Sequence, residues 1–296
     1  MVIVITGPTG VGKTKLSVEL AKRINGEIIN GDSIQIYKGL NIGSAKVTKE
    51  EMAGIPHHLF DIKEPDEEYS IYDYQKDCRK VIADIISRGK VPIIVGGTGL
   101  YIKSALYDYT IEEEAKVTSQ YDGIPTSILY QKLLALDKDI KIDEFNRRRV
   151  VRALNYYLAN NKSIKSNNKG NTLLYDSIFI GLTTDRLELY ERINKRVDTM
   201  LLAGLLEEVK TFHDKNIRTK PLLNGIGYKE LYRYLDQEIT LEEAFDLIKR
   251  NSRRYAKRQY TFFNHQFAMK WFKTNYDDFS KTIEEVTNYI TNKEDS

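Results

Sequence analysis

The chain has 296 residues, of which 41% are hydrophobic and 29% charged, with a net charge of +3. That is enough apolar mass for one large core or for a core with a smaller insertion, and no stretch reaches the roughly 18 unbroken apolar residues of a membrane span. The single cysteine, Cys78, excludes a disulfide framework and a cysteine-cluster metal site, and the apolar start Met1 to Gly7 lacks the pattern of a signal peptide, so a cytoplasmic protein is expected.

In chain order, Val2 to Thr6 is a β-branched run that stops at Gly7, and helical spacing follows from Lys13 to Lys22. Glu27 to Asn30 reads as a second strand ending at Gly31-Asp32. From Tyr72 to Arg88 the residues Tyr74, Cys78, Val81, Ile82 and Ile85 recur every three to four positions before Gly89, which predicts an amphipathic helix with Cys78 in the core. Val91 to Val95 is a buried strand running into Gly96-Gly97-Thr98, and Leu100 to Leu106 is helical. Three strand-loop-helix units predict an α/β protein with a P-loop NTPase-like parallel sheet flanked by helices.

The pattern breaks between Ile111 and Lys141, a stretch that opens with the acidic run Glu112 to Glu114, and a small helical insertion is expected there. The expected organisation is a core of residues 1–110 and 146–296 around an insertion of 111–145. A helix over Arg147 to Leu158, a polar loop from Asn160 to Thr172 and a strand over Ser177 to Leu182 follow. The remainder is mainly helical: Thr240 with Glu243 forms a capping box for a helix to about Phe263, and Asn292 to Ser296 is a polar tail.

Gly7-Pro8-Thr9-Gly10-Val11-Gly12-Lys13-Thr14 satisfies G-x-x-x-x-G-K-[ST] between a strand and a helix. Such a loop closes backbone N–H groups on phosphate oxygens, Lys13 neutralises charge, and the Thr14 hydroxyl suits Mg²⁺. A nucleotide hydrolase or kinase adds an acid at the end of another apolar strand. Val91 to Val95 ends in Gly96-Gly97-Thr98 instead, which points to a diphosphate whose leaving group is not ADP. His57-His58 has no further His or Cys at ligand spacing, so a structural or pocket-lining role is expected.

The P-loop, Gly31-Asp32-Ser33-Ile34-Gln35-Ile36-Tyr37, Ile42 to Lys46, Gly54 to Leu59, Val95 to Tyr101, Arg147 to Leu154, Gly225 to Glu230 and Tyr255 to Gln259 together resemble the tRNA dimethylallyltransferase (isopentenyltransferase) family, over residues 1 to about 275. The likeness weakens between Glu112 and Asn146. The resemblance implies attack by an adenine exocyclic amine on the first carbon of dimethylallyl diphosphate, beside the anticodon of a tRNA. It implies Asp32 as general base, Thr98 on the leaving oxygen and Lys13 with the P-loop on the diphosphate, with Mg²⁺ at Thr14. It also places Asp32, Ser33, Ile34, Gln35 and Thr98 at the target base, and Arg148, Arg149 and Arg152 at the tRNA. The anticodon stem-loop is the expected partner, the base flipping into a channel between core and insertion, and the protein acts as a monomer without membrane attachment.

Arg250, Arg253, Arg254, Lys257 and Arg258 fall at i, i+3, i+4, i+7 and i+8, so one helix face carries five cations. A phosphate-facing stripe, with Arg254 and Lys257 as tRNA contacts, competes there with an ordinary solvated face. Two rival functions are a P-loop small-molecule or nucleoside kinase, and an RNA-binding module that uses a nucleotide only as a switch.

Overall fold

A computed structural model of the chain describes residues 1–109, 121–164 and 171–294. The β-branched runs become the strands of one sheet. β1 (Val2–Thr6) is buried at all five positions, as befits a parallel strand covered on both faces. β2 (Gly26–Asn30) and β4 (Val91–Val95) pair with each other, and β4 pairs with β1. β5 (Ser177–Thr183) flanks β1 on its other side. β3 (His57–His58) and β6 (Lys270–Lys273) complete the six-stranded order β3-β2-β4-β1-β5-β6, every neighbouring pair parallel. The expected α/β parallel-sheet core is therefore what the chain forms, with two edge strands beyond the four read from the sequence.

Helices pack the faces. α1 (Lys13–Arg23) follows the P-loop, with Leu16, Val18, Leu20 and Ala21 buried against the sheet. α2 (Lys49–Met52) is a single capped turn. α3 (Ile71–Ser87) has the capping box Ser70–Asp73 and buries Tyr74, Cys78, Ile82 and Ile85. α4 (Gly99–Leu106) begins directly behind Thr98.

The chain divides into two compact units, one of Met1–Leu106 with Tyr175–Ser296 and one of Tyr107–Leu174. In the smaller unit, α5 (Thr126–Leu136) and α6 (Arg147–Asn160) share a core of Leu129, Leu133, Val150, Val151 and Leu154. The arginine-rich helix, placed with the core by the sequence boundary at 145/146, thus falls in the smaller unit. The acidic run Glu112 to Glu114, part of the polar loop before Thr172 and the last two residues lie outside the described residues.

In the larger unit, α7 (Arg186–Leu202), α8 (Leu205–His213), α9 (Lys220–Asn224), α10 (Tyr228–Leu235) and α11 (Leu241–Gln266) follow β5. The Thr240–Glu243 capping box is present. α12 (Phe279–Glu294) absorbs the start of the expected polar tail, because Ile283, Val286 and Ile290 recur at helical spacing and bury in the main core. Among the described residues no helix is long and apolar enough to cross a membrane.

Candidate active site

Open parallel sheets place ligands beyond the carboxyl ends of their strands, and three adjacent strands here end in the marked loops. β1 runs into the P-loop. Gly10 and Gly12 adopt φ of 84° and 96°, in the left-handed region that favours glycine; a Cβ on Gly12 would also sit 2.5 Å from the Phe279 ring. Val11 is fully buried and its carbonyl accepts from Thr274 Oγ1 at 3.0 Å, so the loop is held from behind. Lys13 Nζ donates to Gly7 O (2.9 Å) and Pro8 O (2.8 Å), which centres the ammonium under the loop.

β2 runs into Gly31-Asp32 and β4 into Gly96-Gly97-Thr98, and these two loops touch. A Cβ on Gly96 would overlap the Gly31 carbonyl. Gly31 N donates to Val95 O at 2.8 Å and Thr98 N donates to Gly31 O at 3.0 Å. Ser33 N donates to Thr98 Oγ1 at 3.1 Å, and Thr98 Oγ1 donates to Ser33 Oγ at 3.3 Å. Thr6 Oγ1 donates to Gly96 O at 3.0 Å, which ties the same seam to β1.

Asp32 Oδ1 accepts from Ile34 N at 2.9 Å. Oδ2 lies on the Gly97 side, 3.9 Å from where a Gly97 Cβ would stand. Desolvation raises the Asp32 carboxyl above its ordinary pKa, opposed by the Ile34 N–H, the Lys13 charge and the Gln35 N–H. Lys13 is brought down to about 7, first by desolvation and then by the Arg196 charge, with Asp32 acting in the opposite sense. The carboxylate and the ammonium are thus electrostatic neighbours. Gln35 Nε2 donates to Ser44 O (3.0 Å) and Ala45 O (3.3 Å), leaving its side-chain oxygen free of those bonds. Ser33 and Ile34 are half-buried beside Asp32.

Among the described residues no group of three or more His, Cys, Asp or Glu could hold a metal ion. A hard cation held mostly by diphosphate oxygens and water needs only a hydroxyl from the protein, and half-buried Thr14 in the first turn of α1 meets that need. Both rings of the His57-His58 pair are engaged within the fold. His58 Nε2 lies 2.7 Å from Glu27, which also binds Arg88 and Lys90, and His57 Nδ1 lies 2.8 Å from Ile55 O.

Several residues at this site were given no role by the sequence, although Tyr255 and Gln259 bound one of the blocks that carry the family resemblance. Tyr255 OH and Gln259 Nε2 of α11 both donate to Gly97 O, at 3.2 and 3.0 Å. Desolvation pushes the Tyr255 hydroxyl up to about 12 with help from the Asp32 charge, and the nearby Thr98 and Gln259 side chains act in the opposite sense. Arg192 and Arg196 of α7 each bury an Nε without a hydrogen-bond partner. Arg192 Cβ stands 3.9 Å from where a Gly10 Cβ would be, and its guanidinium stacks 3.2 Å from the Tyr276 ring. Their i, i+4 spacing was visible, but nothing distinguished them from other helix-surface cations.

On α11, Arg250, Arg254, Lys257 and Arg258 are exposed. Arg253 is engaged with α7 through Asn194 Oδ1 at 2.5 Å and lies over the Tyr190 ring, so the exposed stripe has four cations, not five. Arg148, Arg149 and Arg152 are exposed on α6, whereas Arg147 is spent inside the smaller unit on Ile124 O and Tyr121 O.

The family model for IPP transferase matches residues 35–266, and that for isopentenyl transferase matches residues 1–64. The tRNA dimethylallyltransferase of Geobacillus kaustophilus is 47% identical over 99% of this chain and 96% of its own length, and that of Bacillus subtilis 49% identical over 92% and 90%. The solved tRNA isopentenylpyrophosphate transferase of Bacillus halodurans superposes with a TM-score of 0.78 at 44% identity, covering 99% of this chain and 96% of that one. A eukaryotic dimethylallyltransferase solved acting on tRNA gives 0.82 at 32% identity, covering 98% and 79%. With matches of this extent lying over the P-loop and over the Asp32 and Thr98 loops alike, the chain belongs to the tRNA dimethylallyltransferase family.

Proposed function

We propose that this enzyme transfers a dimethylallyl group from dimethylallyl diphosphate to the exocyclic amine of the adenine beside the anticodon of tRNA, releasing diphosphate. The observation that carries the reading is the convergence of Asp32, Thr98 and Lys13 on three adjacent strand ends, with Asp32 and Lys13 close enough to shift each other.

The amine is a weak nucleophile and the diphosphate a highly charged leaving group, so the site must take a proton and stabilise developing charge. As the amine nitrogen bonds to the first carbon of the donor, the carbon–oxygen bond breaks and its electron pair leaves with the diphosphate. Asp32 takes the proton through Oδ2, since Oδ1 is engaged by Ile34 N; desolvation, by raising its pKa, makes it a stronger base. Thr98 donates to the leaving oxygen. The backbone N–H groups of Gly7, Pro8's neighbours Thr9 and Gly10, Val11, Gly12, Lys13 and Thr14 surround the diphosphate, and the Lys13 ammonium, with Arg192 and Arg196 nearby, offsets its charge. The Thr14 hydroxyl would hold Mg²⁺, which would supply further charge neutralisation at the diphosphate.

Ser33, Ile34 and Gln35 meet the target base beside Asp32 and Thr98, while Arg148, Arg149, Arg152, Arg254 and Lys257 take backbone phosphates of the anticodon stem-loop. The enzyme works as a monomer in the cytoplasm, where tRNA is modified. Mass measurement of tRNA nucleosides after incubation with enzyme and dimethylallyl diphosphate tests the reading: a prenylated adenosine supports it. Phosphate transfer from labelled ATP with no prenylated nucleoside would make the chain a kinase instead.

A further inference from the structure

Asn30 is the last residue of β2 and is 0% exposed. A fully buried amide is costly unless its polar atoms are used, and here they are. Asn30 Oδ1 accepts from Asp32 N at 2.8 Å, while Nδ2 donates to Asp32 O at 2.9 Å and to Leu59 O at 3.0 Å. The Asn30 carbonyl accepts from the buried Tyr74 hydroxyl at 2.9 Å, and the Tyr74 ring stacks on Tyr101 with centroids 4.2 Å apart.

The pairing of β2 with β4 ends at Asn30 and Val95, with one more bond from Gly31 N. Asp32 therefore lies just past the ladder, where no strand fixes its backbone. One side-chain amide grips both its N–H and its carbonyl, which fixes the backbone torsions of Asp32 and so the direction of its Cα–Cβ bond. The Ile34 N–H then fixes the carboxyl rotation through Oδ1. The same amide holds Leu59, whose φ of 62° is unfavourable for a branched side chain.

We infer that Asn30 is the positioning residue for Asp32, aiming the carboxylate by holding both backbone polar groups of that residue through a single buried amide. The inference rests on Asp32 being the general base. Misplacing a reacting group by about an ångström costs on the order of a hundredfold in rate.

The test is a double-mutant cycle on the full chain with saturating tRNA and dimethylallyl diphosphate. Asn30→Ala should lower kcat roughly ten- to a hundredfold, with the KM for each substrate little changed, and should cost almost nothing further in an Asp32→Ala background, because the two residues act as a unit. Asn30→Asp keeps the acceptor for Asp32 N, loses both donors and adds a second carboxyl close by. Its acid limb of kcat against pH should move to higher pH, because the added carboxylate disfavours ionised Asp32; the separation of kcat from KM and the double-mutant coupling are what distinguish positioning from a structural role. Melting curves on Asn30→Ser and Asn30→Asp supply folded variants if Asn30→Ala does not fold. Equal losses from Asn30→Ala with and without Asp32, or normal kcat in folded Asn30 variants, would overturn the positioning role while leaving Asp32 as base. Normal kcat in Asp32→Ala alone would remove the base assignment, and the inference with it.

Discussion

The Ser33 backbone N–H donates to the Thr98 hydroxyl oxygen at 3.1 Å, so residues 65 positions apart join the loops after β2 and β4. The hydroxyl keeps its own proton, shared with Ser33 Oγ at 3.3 Å and available to a leaving oxygen. Thr98→Ala should therefore cost about 10²-fold in kcat, as loss of a donor to a developing oxyanion does. Thr98→Ser should recover most of it. Single-turnover rates for the two variants check this, and equal rates for alanine and serine would show that the hydroxyl is not used.

Asp32→Asn preserves shape and the Ile34 contact but removes the base. Turnover should fall by about 10²- to 10⁴-fold with tRNA affinity nearly unchanged. Filter binding alongside kcat separates these, and a variant that bound tRNA poorly yet turned over normally at saturation would move Asp32 from proton transfer to binding.

Lys13→Met should abolish transfer without unfolding the protein. Its folded pKa, near 7, lies below the ordinary lysine value, so between about pH 7 and 10.5 the unfolded chain binds the extra proton and wild-type stability rises with pH, by up to about 1.4 kcal/mol per unit. Below that window the desolvation penalty is fully present. Melting temperatures of wild type relative to Lys13→Met should therefore climb from neutral to alkaline pH; a flat difference would mean that the ammonium is not desolvated.

The fold was legible wherever hydrophobic period was strong: β1, β2, β4 and β5 and the helix bearing Cys78 sit where the sequence puts them. β3 and β6 escaped because a His-His pair and Lys270-Trp271-Phe272-Lys273 are too short and polar to show a strand pattern; their partners in the sheet define them. At the site, the P-loop, Asp32 and Thr98 are motif residues on adjoining loops. Tyr255 and Gln259 stood in a family block but without a role, because that role depends on α11 reaching the Gly97 carbonyl beyond β4, and Arg192 was missed because nothing local records its approach to Gly10. Arg253 looked like one of five equivalent cations; only the fold supplies Asn194.

Glu27 is 1% exposed and carries Arg88, Lys90 and His58 at the end of β2 away from the Asp32 loop. These partners, Arg88 first, hold its carboxyl far below the usual range. Glu27→Ala should destabilise by about 1–3 kcal/mol, the loss of hydrogen bonds to charged partners that are themselves partly exposed, with kcat unchanged in the folded fraction. Because the folded pKa is depressed, that stability is present above the unfolded carboxylate value and lost as pH falls below about 4. Denaturant titrations at neutral and acid pH measure both effects, and a matching loss of kcat would place Glu27 in the site.

Arg254→Ala and Lys257→Ala should each weaken tRNA binding and flatten the slope of log affinity against log salt by up to about one unit. Arg253→Ala should change the slope less, since its guanidinium is committed to Asn194 and Tyr190. Unchanged slopes for Arg254 and Lys257 would return the stripe to ordinary solvated charge.

α11 is one unbroken helix of 26 residues, and it exposes Arg254 and Lys257 while its Tyr255 and Gln259 reach inward to the Gly97 carbonyl. Consecutive residues rise about 1.5 Å along such a helix, and a hydrogen-bonded helix resists stretching. On the proposed reading, a gripped phosphate and the oxygen that leaves at Thr98 are set apart by a ruler with almost no play. An RNA docked one nucleotide out of step would carry its adenine past the carboxylate, so the choice of which base reacts becomes a measurement of length as well as a recognition of chemistry.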